Sequence, residues 1–140
     1  MMYLLDTNVI SELRKIATGK ADAQVSAWAK RLRPESAFLS VITLLELEQG
    51  ILLIERRDPR QGAKLRGWLR DQILTEFDGR MLPIDAPIAM RCAGLHVPDP
   101  LDDRDSLIAA TALIHGMTVV TRNVSHFARA GVRTLNPWEP

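Results

Sequence analysis

The chain alternates short, unbroken apolar runs with longer stretches in which apolar positions recur every three or four residues. The first run, Met1 to Leu5, stops abruptly at Asp6. An apolar run that short, without alternation, predicts a strand buried on both faces. Val9, Ile10 and Leu13 then recur at helical spacing, with Thr7 or Asn8 placed to cap a short helix. From Ala21 to Arg33, the positions Val25, Trp28, Ala29 and Leu32 mark one face of an amphipathic helix that ends before Pro34. Ala37 to Ser40 predicts a second strand, and Val41 to Arg57 a long helix with Leu44, Leu45, Leu47, Ile51, Leu52 and Ile54 apolar. Gly50 lies inside that helix, where it costs about 1 kcal/mol relative to Ala, so close packing is expected there. Pro59-Arg60 breaks the pattern before a further helix over Lys64 to Phe77, with Leu65, Trp68, Leu69 and Ile73 on one side.

The second half continues the alternation. Arg80 to Ile84 predicts a third strand, Pro87 to Leu95 a helix, and His96 to Leu101, with Pro98 and Pro100, a loop. Ser106 to His115 is Ala-rich and apolar almost all round, the mark of a helix buried on most sides. Gly116 follows in the position that favours a left-handed cap. Met117 to Thr121 predicts a buried strand and Val132 to Leu135 a last edge strand. Strands alternating with helices predict an α/β fold, a three-layer sandwich with a central parallel β-sheet flanked by helices. A chain of 140 residues reads as a single domain, residues 1–140.

Composition narrows the class of protein. Apolar residues make up 46% and charged residues 25%, as in ordinary soluble domains. The net charge of +1 does not announce nucleic acid, but residues 1–70 carry +4 and residues 71–140 carry −3. Cys92 is the only cysteine, so no intrachain disulfide forms. Cys92, His96, His115 and His126 lack the spacing of a zinc site. No phosphate-binding glycine loop, dinucleotide fingerprint or nucleophile elbow is present. With no signal peptide and no apolar run near 18 residues, a cytoplasmic protein without a membrane segment is expected.

Three acids stand out by their positions. Asp6 ends the first strand, Glu46 lies about two turns into the helix after the second, and Asp105 opens the buried helix before the Met117 strand. In a parallel sheet the starts of following helices gather at the carboxyl edge of the strands, where ligands bind. Asn123 ends the next strand at the same edge. Each acid also has a purely structural explanation. Asp6 can begin a turn. Thr43-Leu44-Leu45-Glu46 matches a capping box. Asp102 to Asp105 supplies a cap and first-turn acids that favour the helix dipole. Together these explanations strain, because three converging anions repel and need a counter-charge. Oxygen donors without Cys or His point to Mg²⁺ or Mn²⁺, which can bind a phosphodiester oxygen and activate a water.

Four stretches carry a resemblance to a known family: Leu5 to Glu12, Ser40 to Leu47, Asp105 to Ala112, and Val120 to Asn123. In order and spacing they resemble a PIN domain, and more narrowly a VapC-type, FitB-like toxin; the closing Leu135-Asn136-Pro137-Trp138 is similar to that subgroup as well. The resemblance spans nearly the whole chain. It implies a metal-dependent endoribonuclease, one half of a bacterial type II toxin–antitoxin pair. Its products would carry a 5′-phosphate and a 3′-hydroxyl. Asp6, Glu46 and Asp105 match the family's acidic positions. Many relatives carry a further Asp after the last buried strand; here the candidates are Asn123 and His126, neither a fixed negative charge. Thr7, Asn8 and Thr121 are candidates for orienting the acids. The implied partners are RNA and an antitoxin of the VapB or FitA kind, bound over the acidic edge with a basic side chain.

The densest basic stretch, Arg56, Arg57, Arg60, Lys64, Arg66 and Arg70, is a candidate RNA contact and equally a solvated helix surface. A homodimer or higher assembly is expected, with the Leu65–Ile73 stripe serving either as interface or as core. Two other classes compete with the nuclease. One is a catalytically inactive module that acts only by binding its antitoxin; the intact acids speak against it. The other is a phosphoacceptor receiver domain, which needs a Lys after the last strand. All four lysines, at positions 15, 20, 30 and 64, lie in the first half.

Overall fold

Five strands, β1 (Tyr3–Leu5), β2 (Ala37–Ser40), β3 (Met81–Leu82), β4 (Thr118–Val120) and β5 (Thr134–Leu135), pair in the order β3-β2-β1-β4-β5. Every pairing is parallel, with Leu4 opposite Val119 and Leu5 opposite Val120 at the centre. The structure, a computed structural model, describes all residues from Met1 to Pro140. The chain starts in the middle of the sheet, builds outward to β3, then returns to the other side of β1. The carboxyl ends of β1 and β4 therefore form the topological switch point, where open parallel sheets bind ligands.

Alternation along the strands divides the core into two layers. Leu4 and Val119 face one layer with Ile108, Ala109 and Ala112 of α7 (Asp103–His115) and Phe127 of α8 (Val124–Ala128). Leu5, Leu39 and Val120 face the other. There they meet Val9 and Ile10 of α1 (Thr7–Leu13), Leu47 and Ile51 of α3 (Val41–Arg57), and Leu65 of α4 (Pro59–Trp68). The remaining helices are α2 (Ala23–Arg31), the single turn α5 (Leu74–Glu76) and α6 (Ala86–Leu95).

The expected α/β sandwich is present, with several local corrections. Asp6 itself, rather than Thr7 or Asn8, caps α1, its Oδ1 accepting the Thr7 N–H at 2.8 Å. Pro59 opens α4 instead of merely breaking the chain, since Pro suits the first helical turn. The helix expected over Lys64–Phe77 is interrupted by a π turn at Leu69–Ile73. Leu65, Leu69 and Ile73 are spaced by four, so in a 3.6-residue helix they would drift off one face. The wider turn keeps all three against the core, where each is buried. The Leu65–Ile73 stripe is thus core, with half-buried Trp68 packed beside it, and not an exposed interface.

The glycine expected to mark a close approach is the wrong one. A Cβ built at Gly50 meets nothing within 4 Å, whereas one at Gly62 would come 2.7 Å from the Glu55 Cα across the α3–α4 contact. Gly62→Ala is therefore expected to destabilise the protein by about 1–3 kcal/mol through overpacking. Gly50→Ala should stabilise it by up to about 1 kcal/mol. Paired urea melts check both; equal midpoints for the two variants would contradict this packing.

Candidate active site

Asp6 lies at the switch point and is almost completely buried, 6% exposed. Its backbone N–H continues the β-ladder by donating to Val120 O at 2.9 Å. Its Oδ2 accepts the Thr121 hydroxyl at 2.8 Å and, more weakly, the Asn8 amide at 3.4 Å. Thr121 directly follows β4 and also accepts the Asn123 N–H at 3.0 Å. Two strand ends and the first turn of α1 thus fix one carboxylate.

Glu46 reaches the same edge from α3. The capping-box explanation fails here: Ser40 caps α3 by accepting the Ile42 N–H at 3.0 Å, and Thr43 already lies inside the helix. Glu46 has no backbone N–H to satisfy. Its Oε1 instead accepts the Thr7 hydroxyl at 2.7 Å, and its Oε2 stands 3.8 Å from Nη1 of Arg104. Thr7 therefore links two of the acids, its backbone bonded to Asp6 and its hydroxyl to Glu46.

Asp105 sits in the first turn of α7, capped by Asp102, whose Oδ1 accepts the Asp105 N–H at 2.9 Å. Its capping explanation is thus partly right for the backbone, while the carboxylate is left for other partners. Asp105 Oδ2 accepts from His126 Nδ1 at 3.2 Å. The next residue, Ser106, anchors the turn: its hydroxyl bonds Asp103 O at 2.9 Å and His96 Nε2 at 2.8 Å. Because His96 Nδ1 accepts the Leu101 N–H, its proton is on Nε2 and points at Ser106. His96 and Cys92, which bonds the same hydroxyl, therefore hold the loop before α7 in place rather than a metal.

The acids feel one another. The Asp6 carboxyl is pushed above its ordinary value, first by burial and then by the charge of Asp105, against the opposing hydrogen bonds from Thr121 and Thr7. Asp105 is also raised, first by burial, then by Asp102, with Glu46 adding to the push and His126 opposing it. As they stand, no three carboxylate, imidazole or thiol side chains form a finished metal-binding cluster. Thr7 joins Asp6 to Glu46 and His126 holds Asp105, so each acid is fixed by a neighbour.

Of the remaining candidates, Thr7, Asn8 and Thr121 all bond the acids. His126 touches Asp105, while Asn123 opens α8 and its side chain caps nothing. The basic stretch divides. Arg66 is held by Glu48 and Glu55, and Arg70 by Asp71. Arg56, Arg57, Arg60 and Lys64 are exposed and have no carboxylate partner. Arg56 lies ten residues beyond Glu46 on α3, roughly 15 Å along its axis. Arg104 and its partner Gln49 carry no signal in the sequence: Arg104 sits inside an acidic run whose only local message is capping.

A three-layer parallel sandwich with acids at its switch point defines a class, and the comparison with known proteins identifies it. The chain belongs to the PIN domain family, whose model matches residues 3–132. It is 38% identical to VapC ribonuclease Y4jK of Sinorhizobium fredii (strain NBRC 101917 / NGR234), over 99% of both chains. It is equally 38% identical to Toxin FitB of Neisseria gonorrhoeae, over 98% of this chain and 99% of that one. Among solved structures, FitAcB from Neisseria gonorrhoeae superposes with a TM-score of 0.90 at 37% identity, covering 99% of this chain and all of that one. A toxin–antitoxin complex from Klebsiella pneumoniae is similar with a TM-score of 0.66 at 25% identity, covering 99% of each chain. No helix of the protein is long and apolar enough to cross a membrane.

Proposed function

We propose that this protein is a divalent-metal-dependent endoribonuclease acting as the toxin of a type II toxin–antitoxin pair. Asp6, Glu46 and Asp105 are its catalytic, metal-holding acids. The observation that carries the reading is their convergence from β1, α3 and α7 on one edge, where burial first and neighbouring carboxylates second raise Asp6 and Asp105. Relatives named as a ribonuclease and a toxin align along nearly the whole chain and support it. The donor set fits Mg²⁺ or Mn²⁺: hard oxygens, no thiolate, and a surplus of negative charge that a cation relieves. When bound, such an ion supplies charge stabilisation at the scissile phosphate and makes a water more acidic.

The chain's own residues prepare the site. Thr121, Thr7 and Asn8 fix the two oxygens of Asp6, so its carboxylate cannot rotate. The Thr7 hydroxyl orients Glu46, and His126 orients Asp105. Such supporting bonds tune ligand geometry. The antitoxin we propose as partner covers this acidic edge with a basic side chain. Assembly of the toxin with itself uses the apolar surface that the core leaves free on α3, Leu45, Leu52 and Leu53.

The test is direct. Purified protein, freed of any partner, is expected to cut single-stranded RNA with Mg²⁺ or Mn²⁺, leave 5′-phosphate ends, and stop when EDTA is added. Cleavage indifferent to EDTA would remove the metal from the mechanism.

A further inference from the structure

Two arginines adjoin the network that holds the three acids, Arg104 beside Glu46 and Arg122 through Asn8. Arg104 projects from the first turn of α7; its Nη2 donates to Gln49 Oε1 on α3 at 2.9 Å, and its Nη1 stands 3.8 Å from Glu46 Oε2. Its side chain is 44% exposed. Arg122 follows Thr121 at the carboxyl end of β4. Its backbone N–H donates to Asn8 Oδ1 at 3.3 Å, and its guanidinium lies over the Trp138 ring, 5.1 Å from the centroid. Asn8 also bonds Asp6, so Arg122 is tied into the network that holds the central acid.

We infer that Arg104 and Arg122 grip the RNA backbone on opposite sides of the scissile phosphate; the inference rests on the nuclease reading above. The other arginines near carboxylates are committed to them: Arg66 to Glu48 and Glu55, Arg80 to Glu76, Arg33 to Glu35. Arg122 has no carboxylate within ion-pair distance, and the only one near Arg104 is Glu46, at the far end of that range. Each guanidinium is anchored through one edge or one face, leaving further N–H donors in a planar fork that matches a phosphate. Anchoring by Gln49 and by Trp138 lowers the cost of ordering a long side chain on binding. The site needs these cations, because an acidic edge by itself repels RNA. Arg56, roughly 15 Å along α3 from Glu46, is too far away to hold the phosphate being cut.

The experiment measures binding of a short, fluorescein-labelled single-stranded RNA by anisotropy across a salt series, in the Asp6→Asn background. Arg104→Gln and Arg122→Gln are each expected to weaken affinity about tenfold. Each should also flatten the log–log salt dependence by about 0.7, the effect of losing one single-strand phosphate contact. Arg91→Gln, which removes an exposed charge on α6, should leave the slope unchanged. Arg122→Lys, a milder change at the Trp138 contact, should keep the slope with reduced affinity. Unchanged affinity and slope in either Gln variant, with wild-type protein cleaving RNA, would overturn the clamp and leave the nuclease standing. Wild-type protein that neither binds nor cuts RNA would overturn both.

Discussion

Asp6→Asn is expected to reduce RNA cleavage by roughly 10²–10³-fold or more, the scale seen when a preorganised electrostatic partner of the reacting group is removed. The same substitution should leave the metal-free protein as stable as the wild type or more so. The reason lies in the balance of forces on this carboxylate. Burial and Asp105 oppose its ionisation more strongly than the bonds from Thr121 and Thr7 favour it. A neutral amide keeps an oxygen to accept the Thr7 N–H and removes the repulsion. A variant that unfolds would contradict this balance and show that the charge of Asp6 stabilises the metal-free fold. A stable, folded variant with full cleavage would remove it from the chemistry.

The sign of the pH dependence follows from the same shift. With its pKa raised in the folded state, Asp6 holds a proton in the native protein at pH values where the unfolded chain has released it. Stability of the metal-free wild type therefore falls as pH rises from the ordinary Asp value, about 3.9, through the raised native value, and the contribution returns on acidification. Asp105 acts in the same direction. In Asp6→Asn that part of the slope is absent, so melting temperatures in EDTA at mildly acidic and neutral pH should lie closer together than in the wild type.

Much of this site was legible in the chain because it depends on topology more than on packing detail. Unbroken apolar runs marked β1, β2 and β4, and the acid or hydroxyl ending each run, together with the helix that follows, lay where a parallel sheet gathers them. Ala37–Ser40 and Val41–Arg57 have the bounds their periodicity gave. The misses are contacts between residues distant in sequence. Thr43 and Glu46 match a capping pattern, but Ser40 starts the helix three residues earlier, and only the fold places Thr7 beneath Glu46. Arg66 looked free in a basic stretch because Glu48 and Glu55 approach it from the neighbouring helix. The five residues of α8 were invisible because so short a helix displays no period. Phe127 nevertheless buries itself completely there and sets His126 beside Asp105.

The most direct test of the central claim, that these acids hold a catalytic divalent ion, is the Mn²⁺-induced melting shift of wild type against Glu46→Gln, with RNA cleavage followed in parallel. Gln can accept the Thr7 hydroxyl bond as Glu46 does, so α3 and its contacts should survive the change. What Gln lacks is the negative charge that attracts a cation. Wild-type protein should gain about 2.7 kcal/mol of stability at a hundred times the Kd for Mn²⁺, by mass action. Glu46→Gln should gain much less and lose cleavage, while matching or slightly exceeding wild-type stability in EDTA because it no longer repels Asp105. A variant that keeps both the full Mn²⁺ shift and full cleavage would contradict the assignment of Glu46 and, with it, the three-acid site.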